Sequence, residues 1–447
     1  MTGAKAENQR MSGQPGNGMA TKTARRLSLS RLARVGKNLA RAGIRKANPW
    51  LVHISLQDRL GNLANVKSSR EHLDATIKWL CRAQDRYGGF GVSAGYSFLD
   101  GWYPPYPETT GYLIPTFYDY ADLTGKEEFR DRAGRMADWE IEVQLPCGGV
   151  QGGHYVGSNS DRQPVVFNTG QVILGWLRAY SETANEKYLN AAIRAGDWLL
   201  SVQSPDGAWR LDGPVVYTTV HAYDARTAWS LIEIDALVNG GKYAEAGRCN
   251  LDWTLAQQQE NGWFRNNNFN IECQPPTHSI SYVMEGLIES ERLTGEARYL
   301  NAAIKTARKL ASLFETWGAM PGELDGDWNA VGNYSCLTGN AQIAGVWLQL
   351  FQKTGEEFFL YMAIKLNNDV KAAQRLRSLH PGVRGGVRGS LPLHGRYQPY
   401  CYPNWAAKFL ADSLMLEECT INSLKQSEKS VEWRLQAEAA MLQANPG

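Results

Sequence analysis

Six side chains that can donate or accept a proton stand where polar, aromatic loops meet apolar helical segments. They are Glu108, His221, Tyr223, Asp224, His278 and Tyr282. Histidine, tyrosine and carboxyl groups act as general acids and bases when a fold holds them beside a reacting atom. The chain has seven histidines, so the equivalent placement of His221 and His278 at two helix starts predicts a proton-transfer site. The alternative for each histidine is a hydrogen-bonded position in the core.

Amide and cationic side chains accompany these groups at the same helix starts. The set expected to bind substrate comprises Asn168, Gln171, Arg226, Asn340, Gln342, Asn404 and Lys408. N-capping explains a polar residue at the first position, because its oxygen accepts hydrogen bonds from free backbone N–H groups. Capping does not explain Gln171, Arg226 or Lys408, which lie further into their helices and are expected to point into the space between them.

Aromatic and basic loop residues predict a surface for sugar rings. The aromatic candidates are Trp102, Tyr106, Trp328 and Tyr402, and the basic candidates are Arg384, Arg388 and Arg396. Flat apolar faces beside hydrogen-bonding groups suit saccharides. A guanidinium group holds a carboxylate through two parallel hydrogen bonds, so the loop 383–396 is a candidate clamp for an acidic sugar. The alternative is a solvated basic loop.

No metal or cofactor is predicted. The seven cysteines include no C-x-x-C pair, which disfavours a structural zinc site and a disulfide framework. The acidic segment 323–328 contains Asp325 and Asp327. It could orient hydroxyls, bind a cation such as calcium or supply a catalytic acid.

An internal repeat organises the elements that position these residues. A short glycine-containing loop recurs about every 57 residues, and Tyr-Leu-Asn-Ala-Ala-Ile occurs at both 188–193 and 299–304. In each unit an amphipathic helix precedes the loop, and a more apolar helix follows it. The second helices are expected at 109–122, 167–183, 221–238, 278–293, 337–353 and 404–417. Repeats of this length predict stacked helical hairpins.

The repeat predicts an all-α fold, an (α/α)6 toroid of six helical hairpins with a disordered basic N-terminal extension. Residues 1–70 are expected to form this flexible extension, 71–417 the toroid, and 418–447 a partly helical C-terminal tail. An open solenoid is the alternative, although closure into a ring removes the exposed repeat ends that a solenoid must cap. In a closed ring, the loops that precede the inner helices all lie at one end, where the site is expected.

Composition limits the partners and the compartment. The net charge of +2 gives no overall field for nucleic acid, so no nucleic-acid partner is expected. No apolar stretch is long enough to span a membrane, and the N-terminus lacks the apolar core of a signal peptide, which predicts a cytoplasmic protein. Residues 22–46 carry nine Lys or Arg and no acid. They predict either a solvated tail or peripheral contact with an anionic membrane or an acidic partner.

Three segments carry a resemblance to known proteins. They are 167–180 with Phe-Asn-Thr-Gly-Gln and Trp-Leu-Arg-Ala-Tyr, 334–342, and 402–409 with Tyr-Pro-Asn-Trp-Ala-Ala-Lys-Phe. Together they resemble the six-hairpin carbohydrate-active proteins, which include glycoside hydrolases, polysaccharide lyases, the C-terminal domain of D-glucuronyl C5-epimerase and bacterial exopolysaccharide-locus proteins. The Gln-x5-Trp spacings, 203–209 and 257–263, are similar to the triterpene cyclase repeat, but the Asp-x-Asp-Asp acid of those enzymes is missing.

The resemblance implies an oligo- or polysaccharide substrate and leaves three hypotheses. The first is removal of the C5 proton of a uronic-acid-containing polysaccharide, as in a lyase or C5-epimerase of polysaccharide biosynthesis or processing, with His221, His278, Tyr223 and Tyr282 as candidate bases and acids. The second is glycoside hydrolysis by Glu108 and Asp224. The third is a non-catalytic saccharide-binding component of a polysaccharide-synthesis assembly.

Overall fold

A computed structural model describes residues 48–61, 63–157, 162–210, 220–269 and 273–426. Its helices are α1 Pro49–Leu60, α2 Ser69–Asp85, α3 Pro107–Thr124, α4 Glu127–Val143, α5 Val166–Thr183, α6 Glu186–Ser201, α7 Ala225–Val238, α8 Lys242–Ala256, α9 Thr277–Thr294, α10 Ala297–Trp317, α11 Leu337–Thr354, α12 Glu357–Ala373 and α13 Asn404–Gln426. A single 3-10 turn, Ala222–Asp224, precedes α7. None of the described helices is long and apolar enough to cross a membrane.

The helices form two concentric rings. Helices α3, α5, α7, α9, α11 and α13 line the inside, and each packs against the next inner helix, with α13 returning to α3. Helices α2, α4, α6, α8, α10 and α12 lie outside them. The predicted toroid of six hairpins is therefore confirmed, and the ring is closed.

The pattern of buried residues differs between the inner and the outer helices. Inner helices bury most of their residues, whereas an outer helix such as α10 buries one stripe, which includes Tyr299, Ala303 and Leu310. Three inner helices end at Gly125, Gly295 and Gly355 in the left-handed conformation, which an L side chain rarely adopts. The short turn that follows each of them returns the chain to the outer ring as an antiparallel neighbour.

Short strands tie the long loops together at the N-terminal end of the inner helices. They are β1 Gly95–Ser97, β2 Gly101–Trp102, β3 Ser335–Cys336, β4 Ser390–Leu391 and β5 Cys401–Pro403. Strand β1 pairs antiparallel with β2 and with β5, and β3 pairs with β4. The β1–β5 pairing joins the first repeat to the last, so it reinforces closure of the ring.

Two predicted boundaries are wrong. Residues 49–60 of the expected flexible extension form α1, because Leu51 and Ile54 are buried and Asp58 pairs with Arg388. At the other end, α13 continues to Gln426, past the expected boundary at 417. Arg70 forms an ion pair with Glu418, which holds this continuation against α2. The basic segment 22–46 and the end of the tail, 427–447, lie outside the described residues.

Candidate active site

The predicted catalytic residues gather around Tyr282 at the inner end of the mouth. The Tyr282 ring lies 4.3 Å from that of His278, 4.7 Å from that of Phe167 and 6.3 Å from that of Tyr223. The His221 ring in turn stacks on Tyr223 at 4.5 Å. Residues from α5, the start of α7 and α9 thus form one aromatic cluster. Tyr282 is 1% exposed and His278 is 4% exposed, so both lie behind the surface that a ligand reaches first.

The two predicted carboxyl groups both have raised pKa values. Glu108 is half-buried in the first turn of α3, and burial raises its pKa to about 7, although the Tyr106 hydroxyl and the Arg226 charge oppose this shift. Burial also raises the pKa of Asp224 well above its usual range. A carboxyl group with a pKa near neutrality is suited to proton transfer at physiological pH.

The two histidines are weaker bases than the sequence suggests. Burial lowers the pKa of His221 to about 4 and that of His278 to about 3. Both imidazoles are therefore neutral at pH 7, and neither has a pKa matched to proton abstraction there. Of these groups, Glu108 has the pKa nearest to neutrality among those with a value.

A chain of polar side chains crosses the ring behind the aromatic cluster. His278 Nδ1 contacts Gln342 Oε1, and Gln342 Nε2 donates to Glu285 Oε1 at 3.2 Å. The other Glu285 oxygen accepts from Arg226 Nη1, and Arg226 Nε donates to Gln171 Oε1 at 2.8 Å. An amide oxygen only accepts, so His278 must carry its proton on Nδ1, which leaves Nε2 with a free lone pair.

Glu285 was missed by the sequence analysis, although a signal was present. It lies seven residues after His278 on α9, which places it on the same helix face two turns further along. Its side chain is 13% exposed and bonds both Arg226 and Gln342. Glu285 lies between Met284 and Gly286, which are both buried, and an acid in such a position is a recognisable signal for a buried polar network.

Some predicted binding residues do line the mouth. Tyr106 is half-buried directly before α3, and its ring lies 6.4 Å from that of Trp405. Trp102 in β2 is also half-buried, but its ring packs at 5.4 Å against that of Trp79 on the outer helix α2. Asn168 Nδ2 donates to the Gln151 carbonyl oxygen at 3.1 Å and lies 3.4 Å from the Tyr106 hydroxyl. Asn340 is buried, and its Oδ1 has no hydrogen-bond partner among the described residues.

Other predicted binding residues hold the loops together. Arg388, 1% exposed, forms a buried ion pair with Asp58 at 2.6 Å. Trp328 is buried against Trp263. Tyr402 is buried in β5, and Asn404 Nδ2 donates to the Ser93 carbonyl oxygen and to Thr109 Oγ1, both at 2.9 Å. All four side chains are buried and contact neighbouring loops, so the structure gives no support to their predicted role in binding substrate. Arg388 Nε and Nη2 have no hydrogen-bond partner among the described residues.

The remaining two arginines of the expected clamp point elsewhere. Arg396 is 56% exposed and forms an ion pair with Glu323 at 3.3 Å, and Arg384 is exposed. Arg388 is buried with Asp58. The three guanidinium groups therefore have different surroundings, and no joint clamp is formed.

A cavity of about 910 Å³ occupies the ring on the far side of the polar chain. Arg226, Gln342 and Lys408 line its inner end, and residues near the C-terminal ends of the inner helices line the rest. The sequence analysis placed these three side chains in the mouth. They reach the opposite side because the polar chain and the Phe409 ring separate the two spaces.

Acidic and histidine side chains do not cluster as metal ligands in the described part of the chain. No group of three or more His, Cys, Asp or Glu is arranged there to hold a metal ion. In the segment 323–328, Asp325 accepts hydrogen bonds from the backbone N–H groups of Asp327 and Asn329 at 3.0 and 2.8 Å. That carboxylate thus orders its own turn.

Solved structures share this architecture. An unsaturated glucuronyl hydrolase from Bacillus sp. GL1, responsible for degradation of glycosaminoglycan, is 16% identical, with 77% of this chain and 96% of that chain covered and a TM-score of 0.61. Cellobiose 2-epimerase from Bacillus thermoamylovorans is 12% identical, with 77% and 97% covered and a TM-score of 0.63. A polysaccharide lyase is 13% identical, with 81% and 99% covered and a TM-score of 0.55.

The fold is the six-hairpin α/α toroid. The three neighbours each align over at least 96% of their own length, so the complete toroid is shared. At the level of sequence, no family model and no curated protein matches this chain.

Proposed function

We propose that this toroid is a carbohydrate-active enzyme that removes the C5 proton of a uronic-acid residue in a polysaccharide, with Glu108 as the base. The observation that carries the proposal is the half-buried Glu108 carboxyl, whose pKa is raised to about 7 at the mouth of the ring. A base with this pKa is ionised in a large fraction of molecules at neutral pH and still binds a proton strongly.

Tyrosine hydroxyl groups near Glu108 are suited to stabilise the negative charge that develops on the substrate. When the Glu108 carboxylate takes the C5 proton, the electron pair of the C–H bond moves into the substrate carboxylate, which becomes an enediolate. Neutral hydroxyl donors stabilise such a charge. Burial raises the pKa of Tyr112 and Tyr282 well above the usual range, and the Glu108 charge contributes to both shifts. Both tyrosines therefore keep their protons throughout the step.

Two outcomes follow from the same intermediate. In elimination, the C4–O bond breaks, its leaving oxygen takes a proton, and a C4–C5 double bond forms. In epimerisation, a proton returns to the opposite face of C5. Asp224 is the candidate acid for either step, because burial raises the pKa of its carboxyl group, which then holds a proton more strongly than an exposed carboxyl group does.

Two observations support the proposed substrate class: the names of the similar solved structures and the aromatic residues at the mouth. The names of those structures include a glucuronyl hydrolase acting in glycosaminoglycan degradation and a polysaccharide lyase. The wall of Tyr106 and Trp405 supports the choice of a sugar ligand, because aromatic faces pack against the C–H faces of sugar rings. A role in polysaccharide synthesis or processing is part of the proposal.

Hydrolysis is the second candidate, favoured by one specific observation. Glu108 and Asp224 are both carboxyl groups with raised pKa values at the same end of the ring. Glycosidases use two carboxyl groups, one of them protonated. In this reaction Glu108 would give a proton to the leaving oxygen, so activity would require its acid form.

One incubation experiment separates these reactions. The full chain is mixed with polyglucuronate, polygalacturonate, alginate or heparosan in D2O. Elimination produces ultraviolet absorbance of an unsaturated uronate, epimerisation places deuterium at C5 without that absorbance, and hydrolysis produces new reducing ends alone. Hydrolysis, or binding without turnover, would overturn the first proposal. Glu108→Gln should remove the signal, and Glu127→Gln on the outer ring is the matched control.

A further inference from the structure

The cavity behind the polar chain is a second compartment of the toroid. It encloses about 910 Å³, which is within the range of small-molecule sites. Leu237 and Cys419 at its outer end are exposed, so the cavity opens to solvent at the C-terminal ends of the inner helices. The proposed catalytic mouth lies at the other end.

Two buried cations stand at the inner end of this cavity. The Arg226 side chain is 4% exposed and that of Lys408 is 9% exposed. Lys408 Nζ lies 4.2 Å from the centroid of the Phe409 ring, and Arg226 lies 6.0 Å from the same centroid. Both cations therefore flank one aromatic ring at the closed end.

Neither cation has all of its donors satisfied. A guanidinium has five N–H donors and an ammonium has three. Arg226 bonds Gln171 through Nε and Glu285 through Nη1, and Nη2 bonds no acceptor among the described residues. Lys408 forms one ion pair, with Asp412 at 2.5 Å. These remaining donors border the cavity, which makes them a place for a ligand that supplies acceptors.

The walls between these cations and the opening are apolar. Leu174, Leu177 and Val346 line them and are at most 8% exposed. Near the opening, Asp119 and Asp122 share Arg178, and Glu233 and Glu289 share Arg292. Each arginine therefore offsets part of the charge of its two carboxylates.

We propose that this cavity binds a small amphipathic carboxylate, with the carboxylate between Arg226 and Lys408 and the apolar body along the wall of Leu174, Leu177 and Val346. The two oxygens supply the acceptors that Arg226 Nη2 and Lys408 Nζ lack. This site is separate from the sugar mouth and does not require that the catalytic proposal be correct.

Binding there is expected to reach the mouth through the polar chain. A ligand carboxylate on Arg226 competes with Glu285 for the guanidinium, and Glu285 also accepts from Gln342, which fixes the proton of His278. Ligand binding should therefore change the 15N shifts of the His278 imidazole, although the ligand does not touch that residue.

Isothermal titration calorimetry of the full chain with decanoate measures the affinity of the proposed site. Decanoate should bind at least about ten-fold more tightly than decanol or decylammonium, because a hydrogen bond between two charged groups is stronger than one that involves a neutral group, and two cations repel a cationic head. Lys408→Met should lower the affinity for decanoate by a similar factor, whereas Lys408→Arg should keep the affinity of the parent. Val346→Trp fills the space beside the apolar wall and leaves both cations in place, so it should abolish decanoate binding.

Matched controls decide between this site and the mouth. Asn168→Ala alters the mouth and changes no charge, so decanoate affinity should not change. Circular dichroism identifies any variant that fails to fold, and the ligand comparison on the unaltered chain needs no variant. Equal affinity for decanoate and decanol, or unchanged decanoate affinity in Val346→Trp, would overturn the proposal.

Discussion

Glu108 is partly exposed and has a pKa near neutrality. The pH dependence of kcat/KM therefore distinguishes a catalytic base from a catalytic acid at this position. If its carboxylate is the base, kcat/KM should rise as pH increases through about 7, the pKa of this group, and level off above it. If its protonated form is the acid of a hydrolase, kcat/KM should fall through the same pH. Glu108→Gln should lower kcat/KM by about 100-fold or more.

The control for this prediction is Glu127→Gln, since Glu127 has an 80% exposed side chain on the outer helix α4. That variant should keep the parent profile. A profile of Glu108→Gln with the same inflection near pH 7 would contradict the assignment of the base.

Gln342 is expected to set the tautomer of His278. Gln342→Met removes the amide oxygen that contacts His278 Nδ1, so the imidazole should become a mixture of the two neutral forms. The 15N shifts of the ring nitrogens report this directly, without any assay of activity. Gln349→Met is the control on the same helix, because Gln349 bonds Glu289 and does not contact His278. A single Nδ1–H form retained in Gln342→Met would refute the expectation.

Single residues show where sequence reasoning succeeds and where it stops. His221, Tyr223, His278 and Tyr282 meet in one cluster because each starts an inner helix, and repeat position is readable from sequence. Arg388 could not be assigned in this way, because its partner Asp58 lies 330 residues away in a segment outside the repeat. Long-range pairing of this kind leaves no local pattern.

At the scale of elements, glycine sets how closely the inner helices pack. A Cβ atom on Gly175 of α5 would overlap the Gly111 carbonyl oxygen of α3, and one on Gly339 of α11 would overlap Thr277 of α9. The backbones approach this closely because no side chain intervenes. The position of the mouth residues on neighbouring helices depends on these contacts.

Gly175→Ala is therefore expected to destabilise the protein by about 1–3 kcal/mol, because the two helices must separate to admit a methyl group. Gly134→Ala provides the opposite case, since Gly134 lies in α4 and a Cβ there meets nothing within 4 Å. It should stabilise by about 0.5–1 kcal/mol, through the higher helix propensity of alanine. Urea unfolding of both variants measures the difference. Equal stabilities would show that the α3–α5 contact can relax freely.

The elements differ in how far their sequences predict them. The helix pairs follow from apolar spacing at three and four residues. The predicted bounds of the second helices agree with the structure to within a few residues, except that α13 continues nine residues past its predicted end. Helix α1 escaped prediction because it follows a basic, polar segment and belongs to no repeat. Its Leu51 and Ile54 gave too short an apolar stripe to stand out.

At the scale of the whole molecule, closure makes the first and last repeats depend on one another. His72 of α2 lies at this seam, where its Nδ1 contacts Gln374 Oε1 at 2.6 Å and its Nε2 accepts from the Lys67 N–H at 3.1 Å. Protonation would place a proton on Nε2 and break the second bond. Burial of the imidazole lowers the pKa of His72 to about 4.

This seam should make the ring sensitive to acid. A histidine whose pKa falls from about 6.5 unfolded to about 4 folded adds stability that is complete above pH 6.5 and is lost as pH falls through 4. Its loss amounts to about 3 kcal/mol. Glu108 has the opposite sign, because its raised pKa makes stability fall as pH rises from about 4.5 to about 7.

The His72 contribution to the unfolding free energy of the parent should therefore decline between pH 6.5 and pH 4. His72→Gln removes the ionisable group, so its decline over that range should be about 3 kcal/mol smaller, even if the variant is less stable at pH 7. Urea unfolding at successive pH values gives both curves. His53→Gln is the control, because His53 is exposed on α1 and should leave the slope unchanged. Parallel curves for His72→Gln and the parent would mean that the seam opens before this histidine takes up its proton, and closure would then depend on the β1–β5 pairing and Asn404 instead.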